Sequence, residues 1–309
     1  VIREKVLKFG PTRGLVGILT EPPPDAPPRL PVVFLNSGIL HHVGASRLYV
    51  RMARKLAEMG HPCFRFDFSG IGDSEPRRDT MTAAESAVVE AREAMDLVGA
   101  RKGGVDRFIL IGLCSGADMG FKTAQVDERV VGLVQLDPFA YRTPGYWLRH
   151  YGLKVFRLKA WQRFIGVRYQ RWKDARTPKP PVSEDEAATY VAPEYRRRFP
   201  PRDQVAEAMR KLVSRKVQML NIFSDEQTEH INHGAQYRNA FPDVPFGGQL
   251  EVAYVKHSAH TFTELSDQER VLAVVTAWSA RAMPTLPSAS TATGPLVRLP
   301  APIAAQTNA

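Results

Sequence analysis

The sequence predicts an α/β fold built on a mostly parallel sheet, on three observations. Short β-branched or apolar runs alternate with helical patterns of about 10 to 17 residues, the rhythm of strand–helix–strand units. The runs are short and nearly all apolar, as expected of strands covered by helices on both faces. One of them passes directly into a glycine-flanked turn that opens a helix.

The elements follow in order. The run Val32-Val33-Phe34-Leu35 follows a proline-rich turn and reads as a strand. Residues 47–59 carry Leu48, Met52, Leu56 and Met59 at helical spacing and stop at Gly60, a helix C-terminal signal. Residues 63–68 form the next strand. Residues 82–98 form an Ala- and Glu-rich helix, opened by Thr82 with Glu85 three residues later, the pattern of a capping box. A strand at 108–113, a helix at 116–125 and a strand at 130–136 come next. Two further strands, 217–223 and 250–255, precede a closing helix at 268–280. These divide the chain into a first core part, residues 1–140, and a second, 217–285. Between them, residues 141–216 are aromatic, basic and punctuated by proline, and are expected to form a helical cap. Residues 286–309 are rich in Pro, Ser, Thr and Ala and are expected to form a disordered tail.

Composition limits the function classes. The 309 residues are 44% hydrophobic and 24% charged, ordinary values for a globular protein and too apolar for wholesale disorder. Two cysteines, Cys63 and Cys114, cannot staple a chain of this size. With no run near the ~20 apolar residues of a membrane span, and no apolar leader, a cytoplasmic enzyme with reduced thiols is expected. The net charge of +10 is uneven. Residues 141–216 hold 19 Lys+Arg against 7 Asp+Glu, which leaves 23 basic and 25 acidic residues for the rest. The charge therefore belongs to the expected cap, where basic amphipathic helices are read over 145–174 and Arg196-Arg197-Arg198 adds to the patch. Nucleic acid is not expected, because no zinc-knuckle spacing, RNP motif or basic leader is present. Gly112, Gly116 and Gly120 are spaced by four, so a dinucleotide fingerprint is excluded too.

The chemistry starts at Gly112-Leu113-Cys114-Ser115-Gly116, a G-x-C-x-G sequence at a strand-to-helix junction. A nucleophile in so sharp a turn has strained backbone angles and needs small neighbours two residues before and after. The helix that follows points its N-terminus at the site, favouring a thiolate and a developing oxyanion. Centring the turn on Ser115 instead would make Leu113 and Ala117 the flanks, and the leucine would crowd it. Cys63, inside an apolar strand, reads as a buried small hydrophobe.

With these residues in view, the chain resembles the α/β-hydrolases. Asn36-Ser37-Gly38-Ile39 is similar to the family's oxyanion turn. Asp67-Phe68-Ser69-Gly70-Ile71-Gly72-Asp73-Ser74 resembles its structural D-x-x-G-x-G-x-S turn, so neither Asp67 nor Asp73 is read as catalytic. The runs around these turns most resemble the serine aminopeptidase-like hydrolases, especially the branch described as exosortase-associated hydrolases. The resemblance implies the chain order nucleophile, acid, histidine. It places the base after the last strand, where the His-Thr-Phe sequence favours His260 over His257. It places the acid after the strand 217–223, at Asp225, with Glu226 and Glu229 nearby and Asp137, after the strand 130–136, as the alternative. The oxyanion donors would be the backbone N–H groups of Ser115 and Ile39. His41 and His42 could line the pocket. His230 and His233 fall at the wrong chain positions for the base.

Cysteine at the elbow implies a thioester acyl-enzyme. The expected function is hydrolysis of an ester or thioester, with acyl transfer to an amine, alcohol or thiol through the same centre as the alternative. A non-catalytic binding protein of this fold is the second alternative, disfavoured because nucleophile, acid and histidine are all present in order. No cofactor and no metal are implied. The basic cap suggests an acyl group carried on an acidic acyl-carrier protein, or an anionic membrane surface.

Overall fold

In the computed structural model of the chain, which describes residues 1–152, 169, 197, 199–226, 230–283 and 285–286, eight strands make one sheet. They are β1 (Arg3–Phe9), β2 (Leu15–Glu21), β3 (Val32–Leu35), β4 (Cys63–Phe66), β5 (Phe108–Leu113), β6 (Val130–Leu136), β7 (Gln218–Ser224) and β8 (Leu250–Val255). The spatial order is β1-β2-β4-β3-β5-β6-β7-β8. From β4 across to β8 every neighbouring pair is parallel, while β1 and β2 add an antiparallel ribbon at one edge. The fold is that of the α/β-hydrolases.

The ribbon is the part that the sequence pattern did not signal. β1 alternates exposed charged residues with little apolar content, as an edge strand that must avoid further pairing does. The apolar run of β2 is interrupted in sequence by Gly17, which is required there: a Cβ would lie 2.5 Å from the Phe64 ring on β4.

The helices are α1 (Leu48–Glu58), α2 (Ala83–Arg101), α3 (Ser115–Val126), α4 (Pro144–Tyr151), α5 (Arg202–Ser214), the one-turn α6 (Gln236–Ala240) and α7 (Leu265–Ala282). The expected signals operate. Thr82 and Glu85 close a capping box at the start of α2. Gly60 ends α1 at φ 103°, where a Cβ would lie 1.8 Å from the Pro27 carbonyl oxygen. One apolar layer lies beneath α2, α3 and α5, with Phe64, Met95, Phe121, Met209 and Phe223 at its centre. The other lies beneath α1 and α7, with Phe34, Met52, Ile111, Val275 and Trp278.

Within the basic segment 141–216, α4 opens on Thr143, whose side chain caps the Tyr146 N–H. The end of that segment, α5, sends Val205, Met209 and Leu212 into the core layer. Most of the segment read as basic helices, and the tail beyond residue 286, lie outside the described residues. Among the described residues, no helix is long and apolar enough to cross a membrane.

The chain leaves β3 through α1 to reach β4 on one side, and β5 lies on the other. The crevice at the C-terminal ends of β3 and β5 is therefore a topological switch point, where open α/β sheets place their chemistry. Tyr49 of α1 supports it from below. Its buried hydroxyl donates to the Leu35 carbonyl at 3.0 Å and accepts from the Leu113 N–H at 2.8 Å, joining the last residues of both strands. Tyr49→Phe leaves two buried backbone groups without that partner, at about 1–3 kcal/mol each. Urea unfolding should show a loss of roughly 2–6 kcal/mol; an unchanged midpoint would mean that the hydroxyl bridges nothing of consequence.

Candidate active site

The turn after β5 is built by close approach. Cys114 has φ 55° and ψ −116°, a conformation that a non-glycine residue keeps only where its surroundings impose it. A Cβ on Gly112 would lie 2.2 Å from the Gly116 carbonyl carbon. A Cβ on Gly116 would lie 2.5 Å from the carbonyl oxygens of Leu35 and Asn36. Both glycines are thus required, and the turn is centred on Cys114, not Ser115. The Cys114 N–H donates to the Leu136 carbonyl at 2.9 Å, anchoring the turn to β6.

His260 stands between Cys114 and a carboxylate. It shares a hydrogen bond with the Cys114 thiol, while its Nδ1 lies 2.7 Å from Asp137 Oδ2. Asp137 is fully buried and follows β6 directly. Its N–H still pairs with the Ile222 carbonyl at 2.7 Å, and its φ of 46° then turns the side chain across the end of β7. There Oδ1 accepts the Ser224 N–H at 2.7 Å and Oδ2 accepts the Ser224 hydroxyl at 2.6 Å. Ser224, which the sequence analysis did not single out, therefore fixes the carboxylate that faces His260.

Of the two expected carboxylates, the structure brings the alternative, Asp137, to the imidazole. Asp225 does not meet His260. Its Oδ1 accepts the Tyr254 hydroxyl at 2.8 Å and its Oδ2 accepts the His257 N–H at 3.0 Å, so it staples the loop after β8. The physical reason is direction: the chain leaves β7 with Ser224 turned to Asp137, and Asp225 falls on the far side. Glu226 accepts the His260 backbone N–H at 2.6 Å and holds the loop, not the imidazole. His257, the alternative base, has its side chain 90% exposed and lies beside Asp225.

The electrostatics match the geometry. Burial pushes the Cys114 thiol up, but the His260 hydrogen bond, the Arg197 charge and the Ser115 N–H together hold it below its ordinary value. The hydrogen bond to Asp137, then that to Cys114, pushes His260 up to about 10 against the effect of burial. Both shifts act in the same sense, toward a proton on the imidazole and away from one on the sulfur. Cys63 is different in kind: it is fully buried, and burial pushes its thiol far up.

The turn after β3 faces the elbow. Gly38, at φ 55°, donates its N–H to Ser115 Oγ at 2.6 Å, tying the two turns together. The Ser115 N–H points at the Cys114 sulfur. Asp67 holds the turn from behind. Its carboxylate accepts from Asn36 Nδ2, the His42 N–H and the Asp73 N–H, and lies 2.8 Å from His42 Nδ1. His42, Asp67 and Asp73 have ligand atoms within 4.8 Å of one another. Asp67's oxygens are already committed to these four contacts, which fits a loop lock better than a cation site.

Arg197 lies against the elbow after β5, donating to the Cys114 carbonyl at 3.1 Å. Read in the sequence as part of an exposed basic patch, it is largely buried and pairs with Asp118 of α3.

Comparison with known proteins agrees with this architecture. The family model described as serine aminopeptidase, S33 matches residues 27–224. Among solved structures, an α/β serine hydrolase without lid from Xanthomonas campestris is 16% identical, with 93% of this chain and 97% of that one covered and a TM-score of 0.52. A proline iminopeptidase from Mycobacterium smegmatis is 17% identical over 91% and 98% of the two chains, with a TM-score of 0.53. An α/β serine hydrolase homologue from Coxiella burnetii is 16% identical over 89% and 96%, with a TM-score of 0.50. A search of curated proteins finds no match.

The two carboxylates can be told apart by the pH dependence of iodoacetamide alkylation at Cys114. Because the thiol lies below its ordinary value, reactivity should persist into mildly acidic pH and fall as the thiolate is protonated. Asp137→Asn removes the charge that stabilises the imidazolium. It should raise the thiol's apparent pKa by about a unit or more and slow alkylation at neutral pH roughly tenfold. Asp225→Asn should leave the profile within about twofold; the opposite ranking would restore Asp225 as the acid.

Proposed function

The chain belongs to the serine aminopeptidase, S33 family of α/β-hydrolases, and from that premise we propose that it hydrolyses an ester or thioester through a covalent acyl-enzyme on Cys114. The observation that carries the reading is His260, hydrogen-bonded to the Cys114 thiol on one side and to buried Asp137 on the other. That is the order nucleophile, base, orienting acid.

The steps follow from the positions. The Cys114 thiolate attacks the acyl carbon, forming a C–S bond and moving the carbonyl π electrons onto oxygen. The oxyanion lies at the Ser115 N–H. The Gly38 N–H is committed to Ser115 Oγ, so the second donor in this scheme is the next one along, Ile39. Donors aimed at a developing oxyanion are worth about 2.7–4 kcal/mol each. On collapse the C–O or C–S bond of the substrate breaks, and His260, as imidazolium, gives its proton to the leaving alcohol or thiol. Neutral His260 then takes a proton from water as the resulting hydroxide attacks the thioester, and collapse breaks the C–S bond, releasing the carboxylic acid, which loses its proton to solvent, and regenerating the Cys114 thiolate beside the His260 imidazolium. Asp137 keeps the imidazole in the orientation that serves both steps.

A thiol at this position departs from the serine in the family's description. Thiolates attack activated acyl groups readily and unactivated amides poorly, so esters and thioesters fit this centre better than peptides. The thioester intermediate is also open to capture by an amine, alcohol or thiol in place of water, which makes acyl transfer the second reading. The net positive charge of residues 141–216 suits an acyl group delivered on an acidic carrier protein, or from an anionic membrane surface.

Incubation with activated esters and thioesters, followed by intact-mass analysis, tests the reading. An acyl adduct should form on Cys114 and be absent in Cys114→Ala, with turnover reduced by about 10³-fold or more. Added amine or thiol acceptors should yield acylated acceptor if transfer competes with hydrolysis. Turnover that survives Cys114→Ala, or no adduct and no turnover across the panel, contradicts the proposal.

A further inference from the structure

The guanidinium of Arg197 makes four hydrogen bonds, and all four serve the elbow and the acid. Nε donates to Asp118 Oδ2 at 2.7 Å, and Nη2 donates to Asp118 Oδ1. Nη2 also donates to the Cys114 carbonyl at 3.1 Å, and Nη1 to the Asp137 carbonyl at 2.8 Å. One planar cation therefore spans the backbone of the two residues that carry the sulfur and the carboxylate, which follow the adjacent strands β5 and β6.

The position is built, not incidental. The Arg197 side chain is 13% exposed. Its Cζ lies 5.3 Å from the centre of the Phe199 ring, and that ring packs against Phe139, Tyr141 and His230. The Tyr141 hydroxyl donates to the Pro200 carbonyl at 2.7 Å, fixing the chain just beyond. Arg197, Phe199 and Pro200 are thus seated on the loop that follows Asp137.

The charges explain why an arginine is needed here. Asp118 lies in the first turn of α3, where a carboxylate favours the helix dipole but opposes a thiolate and an oxyanion beside the helix start. The titratable groups facing Arg197 and its partner are Cys114 and Asp118 from the elbow and α3, Asp137 from the end of β6, His260 from the last loop, and Tyr141 and Tyr237 near Asp118. Three of these carry or acquire negative charge, and Arg197 is the cation that contacts the backbone of two and pairs with the third.

We propose that Arg197 is a positioning residue of the Cys114 centre: it clamps the Cys114 and Asp137 backbones together and neutralises Asp118, so that negative charge on sulfur and on the oxyanion is tolerated. The inference rests on the reading of Cys114 as the nucleophile. A lysine could supply the charge but not the planar fork that reaches two carbonyls and a carboxylate together.

The test is the pH dependence of Cys114 alkylation in Arg197→Met, Arg197→Lys, Asp118→Asn and the double variant Arg197→Met/Asp118→Asn, with thermal melting recorded for each. Arg197→Met should move the reactivity profile up by about one pH unit, slowing alkylation at neutral pH roughly tenfold. Arg197→Lys should fall between it and the wild type. Adding Asp118→Asn to Arg197→Met should recover part of the loss, because the unmasked carboxylate is gone. If Arg197→Met melts too low to be assayed, the Arg197→Lys and Asp118→Asn profiles decide. A folded Arg197→Met with the wild-type profile, or Arg197→Lys and Asp118→Asn profiles that both match the wild type when Met cannot be assayed, overturns the inference. The two failures are separable. Absence of an acyl adduct on wild-type Cys114 defeats the functional reading, whereas an adduct that forms together with an Arg197-independent thiol profile defeats only the positioning role.

Discussion

The hydrogen bond between His260 Nδ1 and Asp137 Oδ2 is the contact on which the rest of the site depends. It joins residues 123 positions apart in sequence, one after β6 and one after β8, with the carboxylate fully buried and the imidazole partly exposed. A buried carboxylate without partners would be costly. Here the Ser224 N–H, the Ser224 hydroxyl and the imidazole share it. The imidazole is thereby oriented and made more basic, and the strained elbow presents the sulfur to its other face. Without that bond, Cys114 would sit in a half-buried turn whose desolvation favours the inert thiol.

Two supports hold the turns after β3 and β5. Asp67 and Asn36 hold the turn after β3 through a closed set of hydrogen bonds. Tyr49 joins the ends of β3 and β5 beneath it. Neither touches the reacting atoms. They fix backbone N–H groups whose directions matter more than any side chain there, which is how a rigid sheet serves a reaction that takes place at its loops.

Much of this was legible in the sequence, and for physical reasons. The glycines at 112 and 116 signal a turn with no room for side chains, and the structure puts backbone within 2.5 Å of where their Cβ atoms would be. Chain order points to the loop after β8, and only the resemblance of the His-Thr-Phe sequence favours His260 over His257 there. The acid was not legible to the same degree, because a carboxylate after β6 and one after β7 satisfy the same order. Only the φ of 46° at Asp137 and the direction of Ser224 separate them, and neither is written in composition or periodicity. Arg197 was hidden differently. Within Arg196-Arg197-Arg198 it looks like one member of a solvated patch, yet it is paired and largely buried. Of the ribbon, β1 was hidden by charge, since an edge strand that resists aggregation resembles a loop in sequence, whereas β2 is a short apolar run interrupted by Gly17. The excess of positive charge therefore divides into at least two roles, one of them internal to the site.

The central claim is that Asp137 and Cys114 together hold His260 charged. NMR titration of the His260 ring nitrogens tests it most directly. The account predicts that both nitrogens stay protonated well above neutrality, with a midpoint near 10, and that the midpoint falls in Cys114→Ala and further when Asp137 is also neutralised. A wild-type His260 that titrates at about 6.5, the ordinary imidazole value, and is indifferent to both substitutions would contradict it.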